Sequence, residues 1–287
     1  MIQADPKKLP HLLKLLDDES ETVQKVLFEE LKAFGFSLEN ELDKLSPQPT
    51  AQQKKLIHKL FENQQRAWLK ESWMSWMEIE NEKEKLEAAF HLLSEFQSGT
   101  LHTEKLKTLL DGLAREYRQV CVENDACELA HFLFRDKGFK GADKDYYNPQ
   151  NSNLVHCIKE KKGIPISLCC IYMLVGKRAG LKIEGCNLPG HFMAKTVFKG
   201  KNVLVDCFNE GNLLEESQIV SANPQYHREL KAILKTTADA ETIMARVLNN
   251  LVQSYQNAGQ WEENYLMIDL LEILERHRGF EPRREES

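Results

Sequence analysis

The most informative stretch of this sequence is Gly163-Ile164-Pro165-Ile166-Ser167-Leu168-Cys169-Cys170. Proline is favoured at the first position of a helix, and the residues that follow it up to position 175 are almost all apolar. Gly180 comes after this run and is a typical helix stop. The stretch therefore predicts a helix over about 165–179 that is apolar on nearly every side and lies in the centre of the fold.

Strand-like runs follow this helix over 181–188, 191–198 and 202–208. Lys199-Gly200 separates the last two runs and predicts a two-residue hairpin turn. Such a turn pairs Asp206 with Met193, and it places His191, two residues from Met193, on the same face of the sheet as Asp206. We therefore expect the imidazole of His191 and the carboxylate of Asp206 to meet.

Three polar side chains now stand in a chemically meaningful order. Ser167 lies at the start of the buried helix, His191 opens one strand and Asp206 closes the next. A nucleophile, a base and a group that orients the base are the parts of acyl-transfer chemistry. The alternative is that His191 and Asp206 are structural polar groups, and that the hydroxyl of Ser167 only satisfies free backbone donors of the first helical turn.

Other side chains near this helix admit a catalytic and a structural interpretation. Cys169 and Cys170 are candidate thiol nucleophiles, although cysteines in an apolar helix usually act as small hydrophobic residues. Asn151 either offers its amide to an oxyanion or fixes the turn before the helix, and we favour the turn. Tyr146 and Tyr147 either form the wall of a pocket or pack in the core.

The flanking regions are predicted to be helical. Asp17 to Ser20 precede an apolar stripe of Val23, Val26, Leu27, Leu31 and Phe34, a pattern similar to one HEAT-type unit. Trp68, Trp73, Trp76 and Met77 are grouped together, and we expect them to pack between helices. Near the C-terminus, Leu248, Leu251, Tyr255, Gly259 and Trp261 fall at tetratricopeptide-like offsets.

Length and composition limit the classes of function. The 287 residues carry a net charge of −6, so we expect no broad nucleic-acid-binding face. The N-terminal residues do not resemble a signal peptide and no run is long enough to span a membrane. Seven cysteines without this signal favour reduced thiols in the cytoplasm, and without a Cys-x-x-C pair we expect no structural zinc site. Because the sequence has no Gly-rich phosphate loop, H-E-x-x-H motif or dinucleotide fingerprint, we expect no metal and no cofactor.

Several motifs together resemble the SirB family. They lie within a resemblance that covers roughly residues 90–265, and they are Gly138-Phe139-Lys140-Gly141, Asn148-Pro149-Gln150-Asn151-Ser152, Lys162-Gly163-Ile164-Pro165-Ile166-Ser167-Leu168, Pro189-Gly190-His191-Phe192, and Asp206 with Phe208, Asn209 and Gly211. The resemblance implies a transglutaminase-like, papain-type core with no established reaction. It also implies a Cys-His-Asp scaffold in which His191 and Asp206 occupy the matching positions. The expected cysteine falls near Pro165, so Ser167 is the nearest polar candidate.

The predicted fold is α+β, with a transglutaminase-like core between helical flanks. We expect a helical, HEAT-like region over 1–90, the core over 91–214 and a tetratricopeptide-like segment with a polar tail over 215–287. The preferred function is a degenerate core that binds a protein or peptide. The alternative is acyl transfer or amide hydrolysis on a peptide or protein by Ser167, or by Cys169 or Cys170, with His191 and Asp206. The sequence leaves the oligomeric state open.

Overall fold

A computed structural model describes residues 4–98, 105–222 and 224–279 of the chain. The structure divides into two compact units. The first comprises Met1–Ser72 with Glu95–Thr103, and the second comprises Trp73–Ser94 with Glu104–Ser287. Within the described residues, no helix is both long enough and apolar enough to cross a membrane.

The first unit is helical. Its core contains Leu27 and Leu31, and the rings of Phe28 and Phe61 meet edge to face at 5.1 Å. Val26, which the sequence placed in the buried stripe, is exposed instead, because the apolar face of its helix is centred on its two neighbours at 27 and 28. The helices are α1 (Leu9–Leu12), α2 (Glu21–Lys32), α3 (Leu38–Asp43) and α4 (Ala51–Ser72).

The second unit combines helices with a four-stranded sheet, which confirms the predicted α+β class. The C-terminal end of its first helix, α5, belongs to the first unit. The helices are α5 (Glu82–Ser98), α6 (Leu106–Val120), α7 (Ala126–His131), α8 (Leu154–Glu160), α9 (Pro165–Arg178), α10 (Glu216–Ala222), α11 (His227–Lys235), α12 (Ala240–Asn257) and α13 (Trp261–His277). The strands are β1 (Lys140–Gly141), β2 (Lys162–Gly163), β3 (Glu184–Leu188), β4 (His191–Phe198), β5 (Lys201–Asp206) and β6 (Asn212–Glu215).

The sheet is antiparallel in the order β3-β4-β5-β6. Strands β4 and β5 pair in the predicted register, with Phe198 opposite Lys201. Lys199 and Gly200 both have positive φ, as a two-residue turn that follows the twist of the strands requires. Three details differ from the prediction: β3 begins at Glu184 rather than at 181, β5 ends at Asp206 rather than at 208, and the strands β1, β2 and β6 were not predicted.

Helix α9 forms the centre of the second unit. Pro165 occupies its N-terminal position as predicted, and every residue from 165 to 176 is buried. The helix packs against the sheet through β3 and β4, and against α6, α7 and α8 on its other sides. Trp73 and Trp76 are also fully buried, which confirms the packing role predicted for these two residues.

A pair of glycine substitutions tests how tightly the turn after β5 is packed. Gly211 has a φ of +72°, and a Cβ added there would lie 2.6 Å from the Phe134 ring. Gly200 has a φ of +76° but no atom within 4 Å of such a Cβ. We expect Gly200→Ala to lower the free energy of unfolding by about 1–2 kcal/mol, for its backbone conformation alone.

Gly211→Ala should lower the free energy of unfolding by about 1–3 kcal/mol more than Gly200→Ala does, because the ring of Phe134 must also move. Urea denaturation of both variants measures the difference. Equal losses of stability would show that the contact with Phe134 does not constrain this turn.

Candidate functional site

The strand ends bring His191 and Asp206 together. His191 is the first residue of β4 and Asp206 is the last residue of β5. His191 Nε2 lies 2.9 Å from Asp206 Oδ1, so the contact predicted from the hairpin register is confirmed. The Asp206 carboxylate is buried, whereas the side chain of His191 remains 28% exposed. The pair is therefore open to solvent on its histidine side.

Asp206 is held as a carboxylate by its neighbours. Burial raises the pKa of this side chain, but hydrogen bonds from His191 and Asn209 outweigh burial and bring its pKa below the usual 3.8. Asn209 donates its Nδ2 to Oδ2 at 2.8 Å and its backbone nitrogen to Oδ1 at 3.2 Å. An ionised carboxylate can only accept hydrogen bonds, so Nε2 of His191 carries the ring proton and is the donor of the hydrogen bond to Asp206. In a neutral ring Nδ1 is then an acceptor.

Aromatic rings extend this site away from the carboxylate. The rings of His191 and Phe208 meet edge to face at 6.4 Å, and Phe208 meets Tyr146 at 6.2 Å. Tyr146 also contacts Tyr147, whose side chain is exposed. Of the two interpretations of these tyrosines, the arrangement favours a wall beside the histidine for Tyr146. We call Tyr146, Phe208 and His191 the aromatic patch.

Ser167 lies in the first turn of α9 but is isolated from this pair. It is fully buried beside the Cys157 thiol, and within the described residues its Oγ makes no well-aligned hydrogen bond and none to His191. The interpretation of Ser167 as a capping residue is wrong, because the hydroxyl bonds no backbone donor. The N-cap position is Ile164, so Ser167 stands three residues inside the helix end, where its side chain is enclosed by the core. Its catalytic role stays a prediction.

The two cysteines of α9 are also enclosed. Cys169 Sγ lies 3.5 Å from the backbone oxygen of Phe192, and both Cys169 and Cys170 are fully buried. Burial raises the pKa of both thiols well above the ordinary value of 9.0. A hydrogen bond with Cys207 raises the pKa of Cys169 further, whereas the charge of Lys83 partly opposes the rise at Cys170. Both sulfurs are therefore protonated at neutral pH and unavailable as nucleophiles.

Asn151 holds the loop that precedes α9. Its Nδ2 donates to the backbone oxygens of Asp145 and Tyr146, at 2.7 and 3.3 Å. Its own backbone oxygen accepts the Cys157 thiol at 3.2 Å. These contacts confirm the interpretation of Asn151 as a turn residue, and they fix the backbone that carries Tyr146.

Sequence reasoning missed two residues that shape the site. Asn209 appeared within a motif, but nothing in the sequence showed that its amide would bond Asp206. Arg246, on α12, reaches the β3–β4 turn from more than fifty positions away and donates to Leu188 O at 2.8 Å. Its position inside an amphipathic helix gave no sign of this contact. Among the described side chains, no group of three or more His, Cys, Asp or Glu is arranged to hold a metal ion.

Comparison with known proteins identifies the core. The sequence profile of the transglutaminase-like superfamily matches residues 103–249, slightly more than half of the chain. The match includes α9, the four-stranded sheet and the His191–Asp206 pair. This chain therefore belongs to the transglutaminase-like superfamily.

Individual relatives match about half of the chain. A UPF0162 protein of Xylella fastidiosa strain Temecula1 is 33% identical over 138 residues, which are 46% of this chain and 49% of the relative. F-box only protein 21 of Mus musculus is 24% identical over 151 residues, or 50% of this chain and 24% of that protein. The matched part spans about half of the Xylella protein and about a quarter of the F-box protein. No solved structure matches the chain.

Removal of the Ser167 hydroxyl tests whether it is unpaired. A buried hydroxyl without a partner costs about 1–3 kcal/mol, so we expect Ser167→Ala to leave the free energy of unfolding unchanged or to raise it. Thr196→Val is the matched control, because the buried Thr196 hydroxyl donates to Lys182 O at 3.0 Å. The control should lose about 1 kcal/mol. A similar loss in Ser167→Ala, measured by urea denaturation, would show that Ser167 does form a hydrogen bond.

Removal of the Asn209 amide tests how Asp206 is kept ionised. We expect the pKa of Asp206 to rise in Asn209→Ala, because one of the hydrogen bonds that lower it is lost. Asn202→Ala is the control, since the Asn202 amide contacts Glu216 instead. Carbon-13 NMR titration of the carboxyl carbon measures the change.

The free energy of unfolding also depends on the protonation of Asp206. The folded pKa of Asp206 lies below 3.8, so its stabilising contribution is complete above that pH and is lost as the pH falls through the folded pKa. Asn209→Ala should move this loss to a higher pH. An unchanged titration of Asp206 would show that Asn209 does not tune it.

Proposed function

We propose that this chain is a transglutaminase-like protein whose core has lost nucleophilic catalysis and binds a protein or peptide. The observation that supports this function is the state of α9 at its first two turns. Ser167 is buried and makes no hydrogen bond to His191, and the Cys169 and Cys170 thiols are buried and protonated. A base with no side-chain nucleophile in reach cannot form the covalent acyl intermediate of acyl transfer.

The open side of His191 supports a role in binding. Its Nε2 is occupied by Asp206, and within the described residues no hydrogen bond reaches its Nδ1. A fixed acceptor beside the aromatic patch can receive a peptide N–H while the rings cover apolar side chains. The similarity of half of this chain to a quarter of the longer F-box only protein 21 is consistent with a module that is combined with other segments.

Four further assignments, on the family branch and on the flanking regions, are part of this proposal. They are membership of the SirB branch, the three-part division at 90 and 214, the HEAT-like unit and the tetratricopeptide-like segment. The α12–α13 hairpin supports the last of these, since Leu248 and Leu251 are buried and Trp261 begins α13. Helical repeats favour protein partners because they present extended surfaces. A location in the cytoplasm is supported by cysteines that are all free of disulfide bonds.

A second candidate function is acyl transfer or amide hydrolysis on a peptide or protein. It is favoured by one observation: His191 and Asp206 have the geometry of a base and its orienting group, with Nδ1 available. In this alternative, Ser167 is the nucleophile and α9 shifts so that its hydroxyl reaches Nδ1.

Covalent probes separate the two functions. We expect a fluorophosphonate to leave Ser167 unlabelled, because the hydroxyl is buried and has no base. Iodoacetamide should alkylate only Cys121 and Cys127, the two partly exposed thiols, and slowly, because burial raises the pKa of each. Mass spectrometry of peptides locates the labels, and His191→Ala should not change them.

Ser167→Ala is the control for the serine probe and Cys127→Ser the control for the thiol probe. Labelling of Ser167, Cys169 or Cys170 that disappears in His191→Ala would overturn the binding function and establish the enzyme.

A further inference from the structure

Arg246 is anchored beside the histidine by one edge of its guanidinium. Its Nη1 donates to the backbone oxygen of Leu188 at 2.8 Å and to Asn187 Oδ1. The guanidinium carbon also lies 5.7 Å from the centre of the Phe192 ring. Two hydrogen bonds from one nitrogen and an aromatic face fix the plane of the group.

The opposite edge of Arg246 has no partner among the described residues. Its hydrogen bonds all leave from Nη1, so the Nε and Nη2 donors are unused, and no carboxylate pairs with this side chain. Arg178 differs, because all three of its guanidinium nitrogens donate to carboxylates. Nε donates to Asp111, and Nη1 and Nη2 donate to Glu87. A half-buried guanidinium without a counter-charge is costly, and a bound anion would remove that cost.

The Arg246 guanidinium lies close to the aromatic patch. Leu188, which Nη1 contacts, is directly opposite His191 in the β3–β4 register. Burial raises the pKa of Tyr146, and the charge of Arg246 opposes that rise, so the two side chains lie within electrostatic range of each other. Tyr146 contacts Phe208, and Phe208 contacts His191. Arg246 therefore lies at the same end of the sheet as His191, close to the rings that extend from it.

We infer that the Nε and Nη2 edge of Arg246 binds a peptide carboxylate, with the adjoining residues of the peptide lying over the aromatic patch towards His191. This inference deepens the proposed function, because it rests on a peptide as the partner. Two parallel N–H donors match the two oxygens of a carboxylate. Phosphate groups are usually bound by several arginines, whereas this edge belongs to one.

Peptide titrations of the full chain test the inference without any mutation. The probe is acetyl-Ala-Ala-Ala with a free C-terminal carboxylate, followed by NMR of the His191 and Tyr146 ring signals. We expect saturable shifts of both residues. The same peptide with a C-terminal amide should bind at least about tenfold more weakly, since a charge-assisted pair is lost.

Two further ligands identify the source of the carboxylate. Acetyl-Ala-Glu-Ala-amide carries it on a side chain only, and binding of this peptide equal to that of the free acid would assign the site to acidic side chains as well as to C-termini. Inorganic phosphate should shift neither ring signal at matched concentration. Binding of phosphate but not of the peptide acids would overturn the inference.

Variants then assign the effect to one residue. Arg246→Gln should lower the affinity for the peptide acid about tenfold and leave the affinity for the peptide amide unchanged. The affinity of Arg246→Lys for the acid should lie between those of Arg246→Gln and the native chain. Arg276→Gln is the control, because Arg276 is exposed and already paired with Glu272. Equal binding of acid and amide by the native chain would overturn the inference even if a variant unfolded.

Failure here is distinct from failure of the proposed function. Covalent labelling that depends on His191 would show that the core is an enzyme and would overturn the proposed function. If the chain then still bound the peptide acid better than the amide, the inference would hold, with the carboxylate of a substrate on Arg246. Absence of both results would leave the core non-catalytic and Arg246 without the inferred ligand.

Discussion

The complete burial of the first three turns of α9 is the constraint on which the second unit depends. Every side chain from 165 to 176 is enclosed, so the helix contacts its neighbours on all faces. The Tyr172 hydroxyl donates to Ala126 O at 2.6 Å, and the Cys169 sulfur lies against Phe192 O. These contacts tie the helix to α7 on one side and to the first residues of β4 on the other. Helix α9 thereby sets the position of His191.

The same burial decides what the site can do. A cysteine that acts as a nucleophile needs an environment that lowers the pKa of its thiol. Here the environment does the opposite: burial raises the pKa of Cys169 and Cys170, and the Ser167 hydroxyl is enclosed without a partner. What remains accessible is a histidine oriented by Asp206, a row of aromatic rings and one edge of Arg246. Those are the groups to which the proposed recognition of a peptide is assigned.

Much of the core could be predicted from the sequence, because it depends on local signals. The proline of α9, the Lys199-Gly200 turn and the resulting contact between His191 and Asp206 all follow from short-range patterns. Strand β6 was missed because it is only four residues long and has acidic neighbours, so its sequence carries no clear strand pattern. It forms a strand because it pairs with β5.

Features that depend on long-range packing could not be predicted. Ser167 was expected to bond either a base or the helix backbone, and the structure shows neither, because its orientation is set by the core around α9. Arg246 belongs to the site only through contact with a turn far away in sequence. Periodicity shows which face of a helix is polar, but it does not show which partner that face meets.

The most direct test of this account is nitrogen-15 NMR of the His191 ring in the native chain and in Ser167→Ala. We predict that Nε2 carries the proton, that Nδ1 has the shift of a free acceptor, and that both nitrogen shifts are the same in the two proteins. A change at Nδ1 when the Ser167 hydroxyl is removed would show that the two groups are hydrogen-bonded. That result would contradict a non-catalytic core.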